Sequence, residues 1–143
     1  MNREIKFRGW DTRINKMWSE IEMGRDELTI NPDGRGFVNV NNISRLSQYC
    51  THIIPLQYTG LKDESGKEIY EGDIVEFKAN YTTKPNGFII GFFSYDEETA
   101  SFVIKSNQHE YIIGEDTEGF NIYSHVIGNI YENPELLFNK EEK

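Results

Sequence analysis

The chain has 143 residues, a length typical of one domain, and 37% hydrophobic with 27% charged residues is an ordinary globular composition. The net charge of −9 argues against sequence-independent binding to nucleic acid, which depends on neutralising phosphates. No stretch approaches membrane-spanning length, the first residues show no signal-peptide pattern, and a single cysteine, Cys50, excludes an internal disulfide. We therefore expect a protein of a reducing cytoplasm.

The charge is unevenly distributed along the chain. Residues 1–18 carry five basic against two acidic side chains, whereas the remainder carries 10 basic against 22 acidic. The basic start leaves a small nucleic-acid contact open. It can equally pair with the acidic remainder, within one subunit or between subunits.

The N-terminal half begins with a strand. Ile5 and Phe7 alternate with Lys6 and Arg8, a pattern that predicts a half-buried strand with a basic outer face. The polar run 11–16 then turns the chain.

Two tryptophans flank this turn. Met17, Trp18 and Ile21 predict a second, returning strand, on which Trp18 is placed to meet Trp10 as a cross-strand pair. Scattered aromatic residues are ordinary core material, so both are interpreted as core or edge residues rather than as a ligand platform.

A second hairpin is predicted further along. Asn31-Pro32-Asp33-Gly34 has the chemistry of a type I turn, with proline second and glycine fourth, and it joins apolar runs at 28–30 and 37–40. Residues 41–49 permit a short helix. The run 50–56 is extended and is expected to end at Pro55, which favours a strand end or a sheet edge.

The densest turn signals lie in the middle of the chain. Asp63-Glu64-Ser65-Gly66 predicts another type I turn, in which Asp63 accepts from the backbone and Gly66 tolerates a positive φ. Leu61 and Ile69 on either side are apolar, so this turn is expected to close a hairpin with a glycine bulge.

Another break follows at Gly72, and a strand begins at Asp73. Val75 and Phe77 alternate and are predicted to share one face of this strand. Glu71 and Asp73 flank the glycine as a pair of carboxylates, but Asp73 is interpreted as a cap of the turn through its backbone contacts.

The segment 88–93 is apolar on both alternating faces. After a predicted loop at 79–87, such a strand has to be covered on both sides, by the interior of its own unit on one and by the N-terminal half or another subunit on the other. Further strands are predicted at 100–105, 110–113 and 125–131, with an acidic loop at 115–119.

A short helix is predicted near the end of the chain. Asn133-Pro134-Glu135 offers a cap, a proline at the first helical position and an acid in the first turn. Leu136, Leu137 and Phe138 are expected to pack inward, and 139–143 to fray.

These elements predict a mostly β fold with minor α. A change in character near Gly60 divides the chain into an N-terminal β-meander over 1–60 and a C-terminal barrel over 61–143 that ends in the short helix.

Three blocks of the sequence together resemble the YopX family. They are 5–11 (Ile-Lys-Phe-Arg-Gly-Trp-Asp), the stretch 57–77 and 126–134, and they keep the family's order over nearly the whole chain. Gly9 departs from the pattern, where a small residue such as alanine is expected. The resemblance implies a bacteriophage or prophage origin and an SH3-like small barrel in the C-terminal half, to whose first strand Gly72-Asp73-Ile74-Val75 is similar. It implies no biochemical role.

Motifs for catalysis or metal binding are missing from the sequence. Cys50 and His52 lie two apart, but there is no paired CxxC, HExxH or EF-hand spacing, so no metal and no cofactor are expected. A Cys50–His125 nucleophile pair lacks a marked base and oxyanion hole. The sequence therefore predicts a protein that is not an enzyme.

Three functions remain open. The first is a non-enzymatic binding module that meets a host or phage protein through a barrel face or sheet edge and self-associates. The second is a nucleic-acid accessory factor that uses the basic N-terminal strand, and the third is an acidic mimic of DNA.

The candidate interaction surface consists of Lys6, Arg8, Trp10, Arg13 and Phe93. Surplus apolar area at 88–93 and the opposite charge of the two halves predict a homo-oligomer.

Overall fold

The computed structural model describes residues 4–31, 34–39, 49–79, 87–107, 109–113, 120 and 123–138. The chain forms two compact units, Met1–Tyr58 and Thr59–Lys143. The strands are β1 (Phe7–Asp11), β2 (Lys16–Trp18), β3 (Leu28–Ile30), β4 (Phe37–Asn39), β5 (Tyr49–Cys50), β6 (Ile53–Lys62), β7 (Glu68–Tyr70), β8 (Asp73–Lys78), β9 (Phe88–Asp96), β10 (Ser101–Lys105), β11 (Glu110–Ile112) and β12 (Ser124–Asn129). One α-helix, α1 (Glu20–Arg25), and one 3-10 helix, Pro134–Leu137, complete the described elements. The predicted mostly β fold is confirmed.

In the first unit, β1 pairs in antiparallel fashion with β2 on one side and β6 on the other. Trp18 lies opposite Gly9, and Trp10 lies opposite Met17. Because neighbouring positions of a strand point to opposite faces, the two tryptophans lie on opposite sides of the sheet. The predicted tryptophan pair is therefore wrong.

Helix α1 replaces part of the predicted second strand, which ends at Trp18 and does not reach Ile21. Ser19 caps the helix: its side chain accepts from the Glu22 amide at 3.2 Å, and the Glu22 carboxylate accepts from the Ser19 amide at 3.1 Å. This reciprocal capping box stabilises a short helix whose inward residue is Met23. Ser-x-x-Glu is its sequence signature, and it outweighs the strand tendency of Ile21.

The inner face of β1 packs on a small core made of Met23, Phe37 and Ile53. Gly9 faces this core: a β-carbon added to it would lie 2.5 Å from Ile53 Cγ2 and 3.0 Å from Phe37 Cε2. Alanine, the residue type that the family resemblance suggests at this position, has no room here.

The second predicted hairpin is present as β3 and β4, with Ile30 opposite Phe37. Its turn is closed by the Gly34 amide, which donates to the Asn31 carbonyl at 2.8 Å, and Gly34 has a φ of +77°. The other two turn positions and the predicted helix at 41–49 up to residue 48 lie outside the described residues.

Pro55 lies inside β6, not at its end as predicted, and is paired with Gly9. The Tyr58 amide donates to the Lys6 carbonyl at 2.9 Å, which fixes the alternation of hydrogen-bonded pairs along the two strands. Gly9 and Pro55 fall on a pair without hydrogen bonds, so the strand accommodates a residue that has no amide hydrogen.

The second unit contains a five-stranded antiparallel sheet in the order β11-β10-β9-β8-β12. Its inner face carries the main core, in which Val75, Phe77, Phe93, Ile104 and Tyr111 are all buried. Val75 and Phe77 share this face, as predicted. Closure of the sheet into an SH3-like barrel stays a prediction.

The terminal helix is a single 3-10 turn rather than an α-helix. The Asn133 side chain makes no capping hydrogen bond to it, and Leu136 and Leu137 are half-buried. Phe138 is 76% exposed, so its predicted inward packing is wrong. The tail 139–143, the acidic loop 115–119 and the loop residues 80–86 lie outside the described residues. No helix within the described ranges has the length and apolarity needed to cross a membrane.

Candidate functional site

The predicted basic surface begins with Lys6, whose side chain is only 14% exposed. Its ammonium group lies 2.8 Å from a Glu4 carboxylate oxygen and 4.0 Å from one of Glu20. It also lies 4.9 Å from the centre of the Tyr58 ring. The charge of Lys6 is therefore compensated inside its own unit.

The same compensation holds for Lys16. Its ammonium lies 2.9 Å from the Glu22 carboxylate and 3.9 Å above the Trp18 ring. Arg8 is half-buried, Trp10 is 8% exposed, and Arg13 is exposed. Of the predicted basic surface, only Arg13 is fully presented to solvent, which leaves little positive charge for a phosphate backbone.

The prediction that Phe93 belongs to the interaction surface is wrong. Its side chain is 1% exposed and packs edge-on against Phe120 at 5.7 Å within the main core. The register pairs Phe93 with Ile104, which puts it on the inner face. The residues of β9 that face away from the core are its neighbours in the alternation.

Asp11 organises the turn between β1 and β2. Oδ1 accepts from the amides of Arg13 and Ile14 at 2.9 and 3.3 Å, and Oδ2 accepts from Trp18 Nε1 at 3.1 Å, with His52 Nε2 at 3.7 Å. Burial favours the neutral acid, but these hydrogen bonds and the nearby His52 together hold the pKa of Asp11 below its ordinary value. Both oxygens of the Asp11 carboxylate therefore accept hydrogen bonds that stabilise the turn.

Asp63 joins two parts of the second unit. Oδ1 accepts from the Ser65 amide at 3.0 Å, the Ser65 hydroxyl at 2.8 Å and the Lys67 amide at 2.9 Å, while Oδ2 accepts from the Val126 amide of β12 at 3.0 Å. The turn itself is closed by the Gly66 amide on the Asp63 carbonyl at 2.9 Å, with Gly66 at a φ of +85°. Beside it, the Glu64 amide donates to the Ser124 carbonyl at 3.0 Å.

The pKa of Asp63 reflects this arrangement. Burial by itself would raise it, but the bonds from Val126, Lys67 and Ser65 outweigh burial and lower the pKa. The ionised Asp63 side chain connects its turn to β12; this connection through Val126 is called the clasp.

Asp73 also serves the backbone. It is 1% exposed, and its Oδ2 accepts from the Tyr70 amide at 2.8 Å across Gly72, whose φ is +86°. The carboxylate that the sequence places beside Glu71 thus caps the turn.

Within the described part of the chain, no three histidine, cysteine, aspartate or glutamate side chains converge as ligands for a metal ion. The Cys50 side chain lies outside that part. His52 contacts Asp11, and His125 lies 3.4 Å from Glu64.

The outer face of the five-stranded sheet is a further candidate site. The sequence predicted an exposed apolar surface at 88–93 but named Phe93 for it, which lies on the inner face. Phe88, Ile90 and Phe92 follow one another on the outer side of β9 and are half-buried. Ile74 lies beside Phe92 and is fully buried, and Ile112 on β11 belongs to the same face with 43% exposure. The alternation in 88–93 is the signal for this stripe, but only the register shows which half of it faces outward.

The C-terminal 3-10 helix crosses this outer face. Gly128 lies opposite Ile74, and a β-carbon added to Gly128 would meet Asn133, so Asn133 sits on the outer side of β12. At the other end, Asn107 Nδ2 donates to the Leu137 carbonyl at 2.9 Å, beyond the end of β10. Strands β8 and β9 lie between these points in the sheet order, and the helix lies against β9.

Comparisons with known proteins agree with this fold. The crystal structure of protein EF1440 from Enterococcus faecalis is similar with a TM-score of 0.56 and 24% identity, over 95% of this chain and 99% of that chain. At this identity the likeness concerns the fold alone. A comparison with curated proteins finds no match. The family model described as YopX protein matches residues 6–138.

Proposed function

The chain belongs to the YopX family, and from that premise we propose that it is a non-enzymatic binding module. It acts as an accessory protein of a bacteriophage or prophage in the cytoplasm of the host. There it contacts a host or phage protein and associates with a second copy of itself.

The observation that carries this proposal is the apolar outer face of the five-stranded sheet. Phe88, Ile90 and Phe92 form one line along β9, and Ile112 continues the face with 43% of its surface exposed. Phe138 adds an aromatic side chain that is 76% exposed at the end of the crossing helix. Apolar side chains grouped in this way are typical of surfaces that bind other proteins.

The roles of the buried carboxylates support a function without catalysis. Asp11, Asp63 and Asp73 are each occupied by hydrogen bonds from turns or strand ends. A general acid or base has to reach a substrate, whereas each of these three carboxylates accepts hydrogen bonds from backbone amides of its own chain.

We propose that association is apolar, and the pairing of the basic side chains supports this. Lys6 and Lys16 are paired with Glu4, Glu20 and Glu22 of their own chain, so of the predicted basic surface only Arg13 is fully exposed to the acidic body of a second copy. Association therefore depends on apolar contact, and added salt should weaken it little.

Light scattering over a range of protein concentrations tests the proposal. The unmodified chain, of 16.7 kDa, should give a mass that rises with concentration. Ile112→Glu places a charge on the outer face and should return the mass to that of one chain. Ile21→Glu is the matched control, because Ile21 is 65% exposed on α1 in the other unit and should leave association unchanged.

A constant mass of one chain at every concentration would contradict self-association. Equal loss of association in both variants would show that the outer face is not the contact surface. Strong weakening of association by salt would contradict apolar contact and indicate ionic contacts between the copies.

A further inference from the structure

The C-terminal segment is held on β9 by two sets of contacts of unequal strength; its binding site on β9 is called the seat. The part before Pro134 is held by several hydrogen bonds. Asn129 Oδ1 accepts from the amides of Tyr131 and Glu132 at 3.0 and 2.8 Å, and its side-chain nitrogen donates to Glu132 at 2.9 Å. The Asn133 amide then donates to the Asn129 carbonyl at 2.8 Å.

Beyond Asn133 the hold is weaker. The segment Pro134–Phe138 has no side-chain cap and no fully buried residue, and one described side-chain bond, from Asn107 to Leu137, ties down its far end. Leu136 and Leu137 are half-buried. A 3-10 turn of this length has little stability of its own, so its position depends on the apolar seat.

The seat lies on the outer side of β9, which carries the apolar stripe of Phe88, Ile90 and Phe92. The segment leaves β12 on the outer side, above Gly128, and ends beside Asn107, and β8 and β9 lie between these two points. Neither leucine belongs to the main core on the inner side of the sheet. Ile74, which lies on the outer side opposite Gly128, is fully buried, as expected for a residue beneath a crossing segment.

We propose that this seat is an exchangeable binding site, which the Pro134–Phe138 segment of a second copy occupies in place of the chain's own. We choose this segment as the ligand because the same sequence already occupies the site within each chain. The hydrogen-bonded part ends at Asn133, immediately before the segment, so the segment can leave as a unit. Exchange of a terminal segment between copies preserves its contacts and needs little rearrangement.

The chemistry of the site defines what it accepts. It takes a short segment with two adjacent leucines and a carbonyl group within reach of Asn107 Nδ2. An aspartate at either leucine position would place a charge against apolar side chains. The inference gives a mode to the proposed self-association, and it rests on that proposal only for the claim that exchange occurs between copies.

A labelled synthetic peptide with the sequence of residues 133–138 tests the seat on the full-length chain. The variant Leu136→Asp with Leu137→Asp displaces its own segment and leaves the seat open. This variant should bind the peptide at least about tenfold more tightly than the unmodified chain, because the latter's own segment competes. A control peptide that carries aspartate at both leucine positions should lose about tenfold or more in affinity.

Asn107→Ala provides a milder opening of the seat in case the double variant does not fold. It removes the bond to Leu137 and should also raise peptide affinity over that of the unmodified chain. Equal binding of the two peptides, or equal affinity in all three proteins, would overturn the inference.

The mass of the unmodified chain separates this inference from the proposed function. A rising mass that the double aspartate variant loses supports exchange. A rising mass in both proteins keeps self-association but overturns exchange as its mode. A constant mass in the presence of specific peptide binding overturns self-association and leaves the seat in place for a similar segment of another protein.

Discussion

Asn133 occupies the space in which a side chain of residue 128 would lie. A β-carbon built on Gly128 would be 2.5 Å from Asn133 Oδ1 and 3.0 Å from Asn133 Cβ. The same side chain accepts from the Asn129 amide at 3.3 Å. The contact between Gly128 and Asn133 therefore sets where the chain leaves β12 for the outer face.

Gly128→Ala should destabilise the protein by about 1–3 kcal/mol, the usual cost of overpacking a close contact. Chemical denaturation measures the change. The control is Gly24→Ala, which has no atom within 4 Å of the added carbon and lies in α1. It should stabilise by about 0.5–1 kcal/mol, and a similar loss in both variants would contradict the steric argument.

Gly9→Ala tests the core of the first unit. The added methyl would lie 2.5 Å from Ile53 Cγ2, 3.0 Å from Phe37 Cε2 and 3.4 Å from Met23 Sδ. Ile53 is branched at the β-carbon and held in β6, so it cannot move away freely. We expect a loss of about 1–3 kcal/mol in the free energy of unfolding. Unchanged stability would mean that β1 and β6 separate more easily than their register suggests.

Ser124→Ala should raise stability. The Ser124 side chain is fully buried, and its hydroxyl has no hydrogen-bond partner among the described residues. A buried hydroxyl without a partner costs about 1–3 kcal/mol, and alanine removes that cost while it leaves only a small space. We expect a gain of about 1 kcal/mol by thermal or chemical denaturation. A loss of stability would instead indicate a bond to the hydroxyl.

Asp63 gives the protein a sensitivity to acid. Because its folded-state pKa is lowered, its contribution to stability is complete above the ordinary value of 3.8 and is lost as the pH falls through the lowered pKa. Asp63→Asn keeps the shape but offers one acceptor oxygen instead of two. It should cost about 1.5–3 kcal/mol near neutral pH and flatten the fall in stability that sets in as the pH drops below the ordinary carboxyl pKa.

The control for this variant is Asp96→Asn. Asp96 is also a turn aspartate, whose Oδ2 accepts from the Thr99 hydroxyl at 2.7 Å, but its described bonds are local and exposed. Its effect on stability should be clearly smaller. Identical pH profiles for the Asp63 variant and the unmodified chain would show that the clasp to Val126 does not contribute.

Turn chemistry was the part of the fold that could be predicted from single residues. Asp63 and Gly66 specify their turn locally, because an aspartate that accepts from the next amides and a glycine at positive φ act within four residues. Helix α1 was also locally encoded, by Ser19 and Glu22, but the apolar Ile21 beside them favoured a strand.

The outer face could not be assigned from the sequence because it depends on register. Alternation shows that β9 is apolar on both sides, but only its pairing with β10 decides that Phe93 faces inward. The crossing of the C-terminal segment depends on a contact between Gly128 and Asn133 and on a bond between Asn107 and Leu137, 30 residues apart. Neither contact produces a periodic pattern in the sequence from which it could be predicted.

The clasp between Asp63 and Val126 spans 63 positions, and this has a consequence for synthesis on the ribosome. At about 5–20 residues per second, roughly 3–13 seconds pass between the two residues' incorporation. During that interval the residues of the Ser65 and Lys67 bonds have been incorporated, but Val126, the partner on β12, has not. The second unit therefore completes its fold only after β12 has emerged, and until then its earlier strands present an unpaired edge to the chaperones of the cell.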